Sequence, residues 1–308
     1  MKNDRLDVKN LVISCHSGRL KKDIVKSISF SLHSGESLAI VGESGCGKTM
    51  TAMSLFQLLP TGCRAKGEAL LNGKNLLDNC KISKLRGREI VLIPQNGAEF
   101  LDPVFKIRNQ IFETLRKVGV RKENREVRAR ELLSLAGFSN PDDVLDKYPF
   151  EISGGMAQRV ILAIGMAAQP MVVIADEPTR GIDGDGVENF LGLLETIFAD
   201  TILVIITHNM RVAAHCDRLL VMLGGEVMEY GCCHAILENT KHPYSVSLIR
   251  NLPTDEQYLE LSDICTSVRK NQGGCPYYTR CGLAQETCAN NFPELTQRNG
   301  WKGRCHYA

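Results

Sequence analysis

The sequence predicts an α/β fold: a mixed β core with a helical subdomain and a small cysteine-rich C-terminal extension. Three observations predict it. The stretch Gly42-Glu43-Ser44-Gly45-Cys46-Gly47-Lys48-Thr49 fits G-x-x-x-x-G-K-S/T without mismatch, between the apolar run Ser37 to Val41 and the helix-compatible segment Met50 to Leu59. Two apolar runs, Met171 to Ala175 and Thr201 to Thr207, enclose the helical pattern Val187 to Phe198, as a parallel sheet with crossover helices requires. A final stretch, poor in aliphatic residues, carries Cys275, Cys281, Cys288 and Cys305.

Taken in order, Arg5 to Val41 alternates apolar and polar residues and reads as a β-rich edge leading into the glycine loop. Leu59-Pro60-Thr61-Gly62 breaks the helix after that loop, and Glu68 to Leu71 with Asn72-Gly73 reads as a strand and tight turn. Ile90 to Ile93 is the next strand, ending at Pro94-Gln95. Phe105 to Ala136 has helical spacing, and its mixed-charge part, Arg116 to Glu131, reads as a solvated helix face. Ser153-Gly154-Gly155 opens a helical run to Ala168, and Leu219 to Leu223 and Glu226 to Tyr230 are strands joined at Gly224-Gly225. No internal repeat is visible.

Composition narrows the class. With 44% hydrophobic residues in 308, the chain can bury a substantial core. A formal charge of +2 provides no overall field for nucleic acid or an anionic membrane. The longest apolar run, Val160 to Ala168, falls far short of the ~18 residues that span a bilayer, and the opening MKNDRLDVKN has no signal-peptide core. The expectation is a cytoplasmic chain whose membrane role comes through a partner. Twelve cysteines in such a chain argue against a disulfide framework and for a metal site.

The glycine loop turns backbone N–H groups towards a triphosphate, Lys48 supplies a point charge to the β- and γ-oxygens, and the Thr49 hydroxyl can ligate Mg²⁺. The next helix, from Met50, aims its positive end at the same anion. Val172-Val173-Ile174-Ala175-Asp176-Glu177 is an apolar strand ending in two carboxylates, with Asp176 suited to the Mg²⁺ shell and Glu177 to an attacking water. His208 and Gln95 also follow strands, at the sheet edge where α/β folds gather ligands. The His208 imidazole suits the γ-phosphate, and the Gln95 amide suits the metal or the water. Ser153-Gly154-Gly155-Met156 at a helix start forms a second anion-binding surface.

Together these residues resemble the ATP-binding subunit of ABC transporters, over roughly Leu6 to Glu238. The resemblance makes Ser153 to Met156 the signature, Gln95 the Q-loop, Asp176 and Glu177 the Walker B pair, Gly181-Ile182-Asp183 the D-loop and His208 the switch histidine. It implies a head-to-tail dimer that clamps ATP between the loop of one subunit and the signature of the other. Three positions depart from the family. Met156 replaces the usual Gln, and no aromatic stands near Arg19 to stack on adenine. Cys46 places a thiol within the loop. A chromosome-type or DNA-repair ATPase would need a long coiled-coil insertion between Thr49 and Ser153, for which there is no room. A soluble redox-sensing ATPase is the other alternative.

Leu59-Pro60-Thr61-Gly62, Tyr148 to Met156 and His242-Pro243-Tyr244 resemble the peptide and nickel importer branch, and Ser-Gly-Gly-Met leans towards nickel. That branch implies two permease subunits, a related second ATP-binding chain, an extracytoplasmic solute-binding protein acting indirectly, and a position on the cytoplasmic membrane face. Residues 1–240 then form the nucleotide-binding domain, with a helical subdomain at about 96–168, and 241–308 the extension. Gaps of five, six and sixteen residues separate Cys275, Cys281, Cys288 and Cys305, which leaves iron–sulfur, zinc or no ligand open. Resemblance to the C-terminal motif of the peptide importer ATPases implies a 4Fe-4S cluster. The other cysteines, Cys15 and Cys63 included, read as core or surface residues.

Overall fold

The computed structural model describes residues 3–17, 20–180, 182, 184–250, 273–297 and 300–307. Strands β1 (Arg5–Ser17), β2 (Leu20–His33), β4 (Cys63–Leu71) and β5 (Lys74–Asn75) form an antiparallel sheet in the order β2-β1-β4-β5, with β3 (Ser37–Gly42) lying between β2 and β4 in sequence. The second sheet contains β3, β6 (Ile90–Ile93), β7 (Val172–Asp176), β8 (Ile202–Thr207), β9 (Arg218–Leu223), β10 (Glu226–Cys232), β11 (Thr296–Gln297) and β12 (Trp301–Gly303). Its order is β11-β12-β10-β9-β3-β8-β7-β6, parallel from β9 to β6 and antiparallel beyond.

The central strands are buried on both faces, which is why they read as unbroken apolar runs. Along β7, Val173 and Ala175 face the helical side, while Val172 and Ile174 face the antiparallel sheet; Leu203 and Ile205 in β8 divide from Val204 and Ile206 in the same way. Each buried Val, Leu or Ile among them contributes ~1.5–3 kcal/mol by leaving water. Parallel strands all end at one edge, so Gly42, Asp176 and Thr207 close their strands side by side.

The inserted subdomain consists of helices Gly97–Phe100, Ile107–Lys117, Arg125–Leu135, Pro141–Leu145 and Gly154–Met166. Charges in its middle pair internally, Arg108 with Glu126 and Asp146, and Arg130 with Glu126 and Asp142. The first long helix is shorter than expected, Lys48–Leu55, because Gln57 takes a left-handed φ of 50° and stops it.

The cysteine expectation needs one correction. Cys15 and Cys63 are cross-strand partners in the β1–β4 register and form a disulfide, their Cα atoms 4.0 Å apart. That pairing spans 48 positions and depends on strand register, which residue spacing does not disclose.

The C-terminal extension adds its own strands to the cassette's sheet. Trp301 of β12 pairs with Gly231 of β10, where a Cβ would lie 2.4 Å from the Trp301 Cβ. The buried Trp301 donates from Nε1 to Glu229 at 3.0 Å, and that buried carboxylate also accepts from Thr240 Oγ1 at 2.7 Å.

Candidate active site

The glycine loop between β3 and the Lys48–Leu55 helix needs its glycines for two reasons. Gly42, Gly45 and Gly47 have φ of 150°, 78° and 107°, and a Cβ on Gly42 would lie 2.2 Å from the Met222 carbonyl oxygen. Inside the loop, the Lys48 ammonium is buried and donates to the Gly42 and Glu43 carbonyls at 2.6 and 3.0 Å. Ser44, Gly45 and Thr49 are exposed, and Met50 is half-buried. Cys46 turns away from solvent into the core between the sheets, and burial pushes its thiol pKa up. The departure at Cys46 is therefore a packing residue beneath the loop.

Thr49 donates to Asp176 at 3.3 Å, joining the two residues expected to hold Mg²⁺ across 127 positions. Burial raises the Asp176 pKa, opposed by the Thr49 hydrogen bond and by Lys48, with the neighbouring Glu177 charge adding to the rise. Glu177 has φ of 46°, an uncommon conformation for a side-chain-bearing residue, and its N–H donates to Ile206 at 2.8 Å. This backbone turn brings its carboxylate to His208 Nδ1 at 2.7 Å and to the Thr207 hydroxyl, which donates at 3.1 Å. The Glu177 hydrogen bond raises the His208 pKa above its ordinary 6.5, against the effect of burial. Gln95 lies two residues past Ile93, the last residue of β6 and the β-partner of Ala175, so it follows its strand at the same sheet edge.

Ser153 caps the Gly154–Met166 helix, its hydroxyl accepting from Met156 N–H at 3.3 Å. A Cβ on Gly154 or Gly155 would meet open space, so nothing in this chain's own packing requires those glycines. Among the described residues, no hydrogen bond joins the signature to the glycine loop. Arg19, Gly181 and Asp183 lie outside the described residues.

Two residues without a role in the sequence reading hold the site together. Gln158 is 3% exposed; its Oε1 accepts from Gly97 N–H at 2.9 Å and its Nε2 donates to the Pro94 carbonyl at 3.3 Å, bracketing Gln95. A buried amide among Ala157, Val160 and Ile161 was the available signal. Thr207, fully buried, is the other, and its hydroxyl also accepts from Asn209 N–H at 3.0 Å.

Cys275, Cys281, Cys288 and Cys305 line one small cavity with Tyr277, Tyr278 and Leu283, and Cys275 N–H donates to the Cys288 carbonyl at 2.8 Å. Burial raises the Cys275 and Cys281 thiol pKa values, and the neighbouring cysteines raise them further. Among the described residues, no three His, Cys, Asp or Glu side chains are disposed to hold a metal ion.

A formed phosphate loop, a hydroxyl–carboxylate pair beside it and a carboxylate–imidazole pair at the next strand ends define a P-loop ATPase cassette. The comparisons with known proteins agree. The ABC transporter family model matches residues 25–180, and the model for the oligopeptide/dipeptide transporter C-terminal region matches 228–288. The oligopeptide transport ATP-binding protein OppD of Haemophilus influenzae is 34% identical over 307 residues, 96% of this chain and 95% of its own. The dipeptide transport ATP-binding protein DppD of Escherichia coli is 34% identical across 92% of this chain and 90% of its own. A solved dimeric ATP-binding cassette, in a post-hydrolysis state with ADP and Pi, aligns with a TM-score of 0.65 and 25% identity over 74% of this chain and 98% of that one. The chain belongs to the ABC transporter ATP-binding family, and it is an ATP hydrolase. No helix among the described residues is long and apolar enough to cross a membrane.

Proposed function

We propose that this chain is the ATP-hydrolysing motor of a membrane peptide importer. One observation carries the catalytic part: the Thr49–Asp176 and Glu177–His208 pairs meet at one sheet edge, beside a loop already shaped for phosphates. In this reading the loop amides and Lys48 bind the phosphates of MgATP, and Thr49, Asp176 and Gln95 hold its metal. Glu177 takes a proton from the attacking water, while His208 and Gln95 orient the γ-phosphate and the water. Gly42, Glu43, Ser44, Gly45, Cys46, Gly47 and Met50 complete the nucleotide-binding segment.

Ser153, Gly154, Gly155 and Met156 complete the ATP site of a second, related chain. The open space over both glycines supports this role, since only an outside group gains from their bareness. Moving such a dimer from 1:99 to 99:1 closed takes ~5.5 kcal/mol, within reach of two interfacial ATP molecules. Asn96 to Phe105 would pass the motion to two permease subunits at the cytoplasmic membrane face. Phe100, Val104 and Phe105 there are 63%, 73% and 51% exposed, and such apolar groups favour a partner. An extracytoplasmic solute-binding protein would deliver the cargo.

The relatives reported above are peptide transporters by name, and the lean towards nickel suggested by Met156 finds no support in them. Reconstitution with its permeases, a second ATP-binding chain and binding protein in vesicles tests the cargo. ATP-dependent uptake of a labelled oligopeptide is expected; uptake of nickel without peptide would contradict it.

A metal-cluster reading of the extension is supported by one observation, that all four cysteines line a single cavity, although no three of their side chains stand disposed to hold a metal ion among the described residues. Cys275, Cys281, Cys288 and Cys305 would hold a 4Fe-4S cluster, whose chemistry here is a structural staple for a region short of its own core. An anaerobic absorption spectrum with iron, sulfide and zinc analysis tests this. About four irons per chain are expected; zinc alone or no metal would refute it.

A further inference from the structure

The extension reaches into the ATP site. Arg280, one residue before Cys281, forms a bidentate ion pair with Glu43, its Nη1 on Oε1 and its Nη2 on Oε2 at 3.1 Å. Both side chains are largely buried, at 22% and 15% exposure. Glu43 is the second residue of the phosphate loop, and each of its groups is held by a different element. Its N–H donates to Tyr244 Oη at 3.0 Å, its carbonyl accepts from Lys48, and its carboxylate accepts from Arg280. Tyr244, fully buried, donates its hydroxyl to the Met222 carbonyl at 3.3 Å. The Arg280 guanidinium lies 5.0 Å from the Tyr277 ring centroid, and Tyr277 packs on Tyr244 at 5.4 Å.

A carboxylate in a loop that binds a triphosphate works against its ligand, because like charges a few ångströms apart in a partly buried site repel strongly. Bidentate pairing with a guanidinium cancels that charge and fixes the side chain's direction. We propose that Arg280 is a positioning residue for ATP binding: it neutralises Glu43 and locks the phosphate loop, so that the cysteine-rich extension sets the cassette's affinity for MgATP.

This proposal rests on the loop being the ATP site. Failure of that reading would appear as no MgATP binding by the unaltered chain; failure of the proposal appears only among the variants. The test is a charge cycle on the full-length chain, with MgATP binding measured by equilibrium dialysis. Arg280→Gln leaves an uncompensated carboxylate and is expected to raise Kd about tenfold. Glu43→Gln leaves an unpaired guanidinium and is expected to lower Kd about threefold. The double variant restores a neutral pair and is expected to return to within about twofold of the unaltered chain. Arg280→Lys, which keeps the charge but not the fork, is expected to raise Kd about threefold. Restoration in the double variant cannot come from mending the extension, since Arg280 is missing there too. An unchanged Kd in Arg280→Gln, or a double variant as weak as Arg280→Gln, would overturn the proposal.

Discussion

The proposed catalytic edge and the C-terminal extension are built by different means. At the edge, five parallel strands end together, and each functional side chain sits within two residues of a strand or helix terminus that the apolar runs already mark. The extension has short strands and little core. It docks by pairing β12 with β10, by burying Trp301 against Glu229, and by the Arg280–Glu43 pair. One region supplies its own order, and the other takes its order from its neighbour. A useful consequence is that Trp301 is the only tryptophan of the chain, so selectively excited tryptophan fluorescence reports on the seam between the extension and β10.

Lys48→Ala breaks the edge and should lower MgATP affinity about 100-fold, since it removes charge-assisted contacts to the phosphates and the ties within the loop. Trp301 fluorescence should change little, because Trp301 docks on Gly231 and Glu229 of β10 and not on the loop. Trp301→Ala reverses the comparison. Loss of a buried indole costs about 3–5 kcal/mol of local stability, so limited proteolysis should cut the extension while the cassette resists.

Gln158→Ala tests a contact internal to the cassette. Without its two hydrogen bonds to the Pro94–Gly97 segment, kcat should fall about tenfold with a smaller change in KM, because the placement of Gln95 suffers more than ATP binding.

The smallest effect concerns pH. The His208 pKa is raised in the folded chain by Glu177, so the pair adds stability below the ordinary 6.5 and loses it as pH rises through the folded value. The difference in melting temperature between the unaltered chain and His208→Ala should therefore shrink from pH 6 to pH 8. A difference that grows over that range would reverse the assigned sign. Since His208 is nearly half exposed, the effect will be modest.

Most of the edge was legible in the sequence, because its signals are local. Gly42 to Thr49 carries its own pattern, and Val172 to Glu177 announces a buried strand that stops at two carboxylates. What escaped depends on partners far along the chain. Arg280 and Glu43 stand 237 positions apart, Gln158 and Gly97 stand 61 apart, and Cys15 meets Cys63 only through the β1–β4 register. Thr207 was read as the end of a strand, and its hydroxyl gains meaning only when the turn at Glu177 brings the carboxylate to it.

The most direct measurement is single-turnover hydrolysis by Glu177→Gln, with MgATP binding and ATP-dependent association followed on the same preparation. If Glu177 is the base, binding and association persist while hydrolysis slows at least ~100-fold. Hydrolysis at the rate of the unaltered chain would contradict the account.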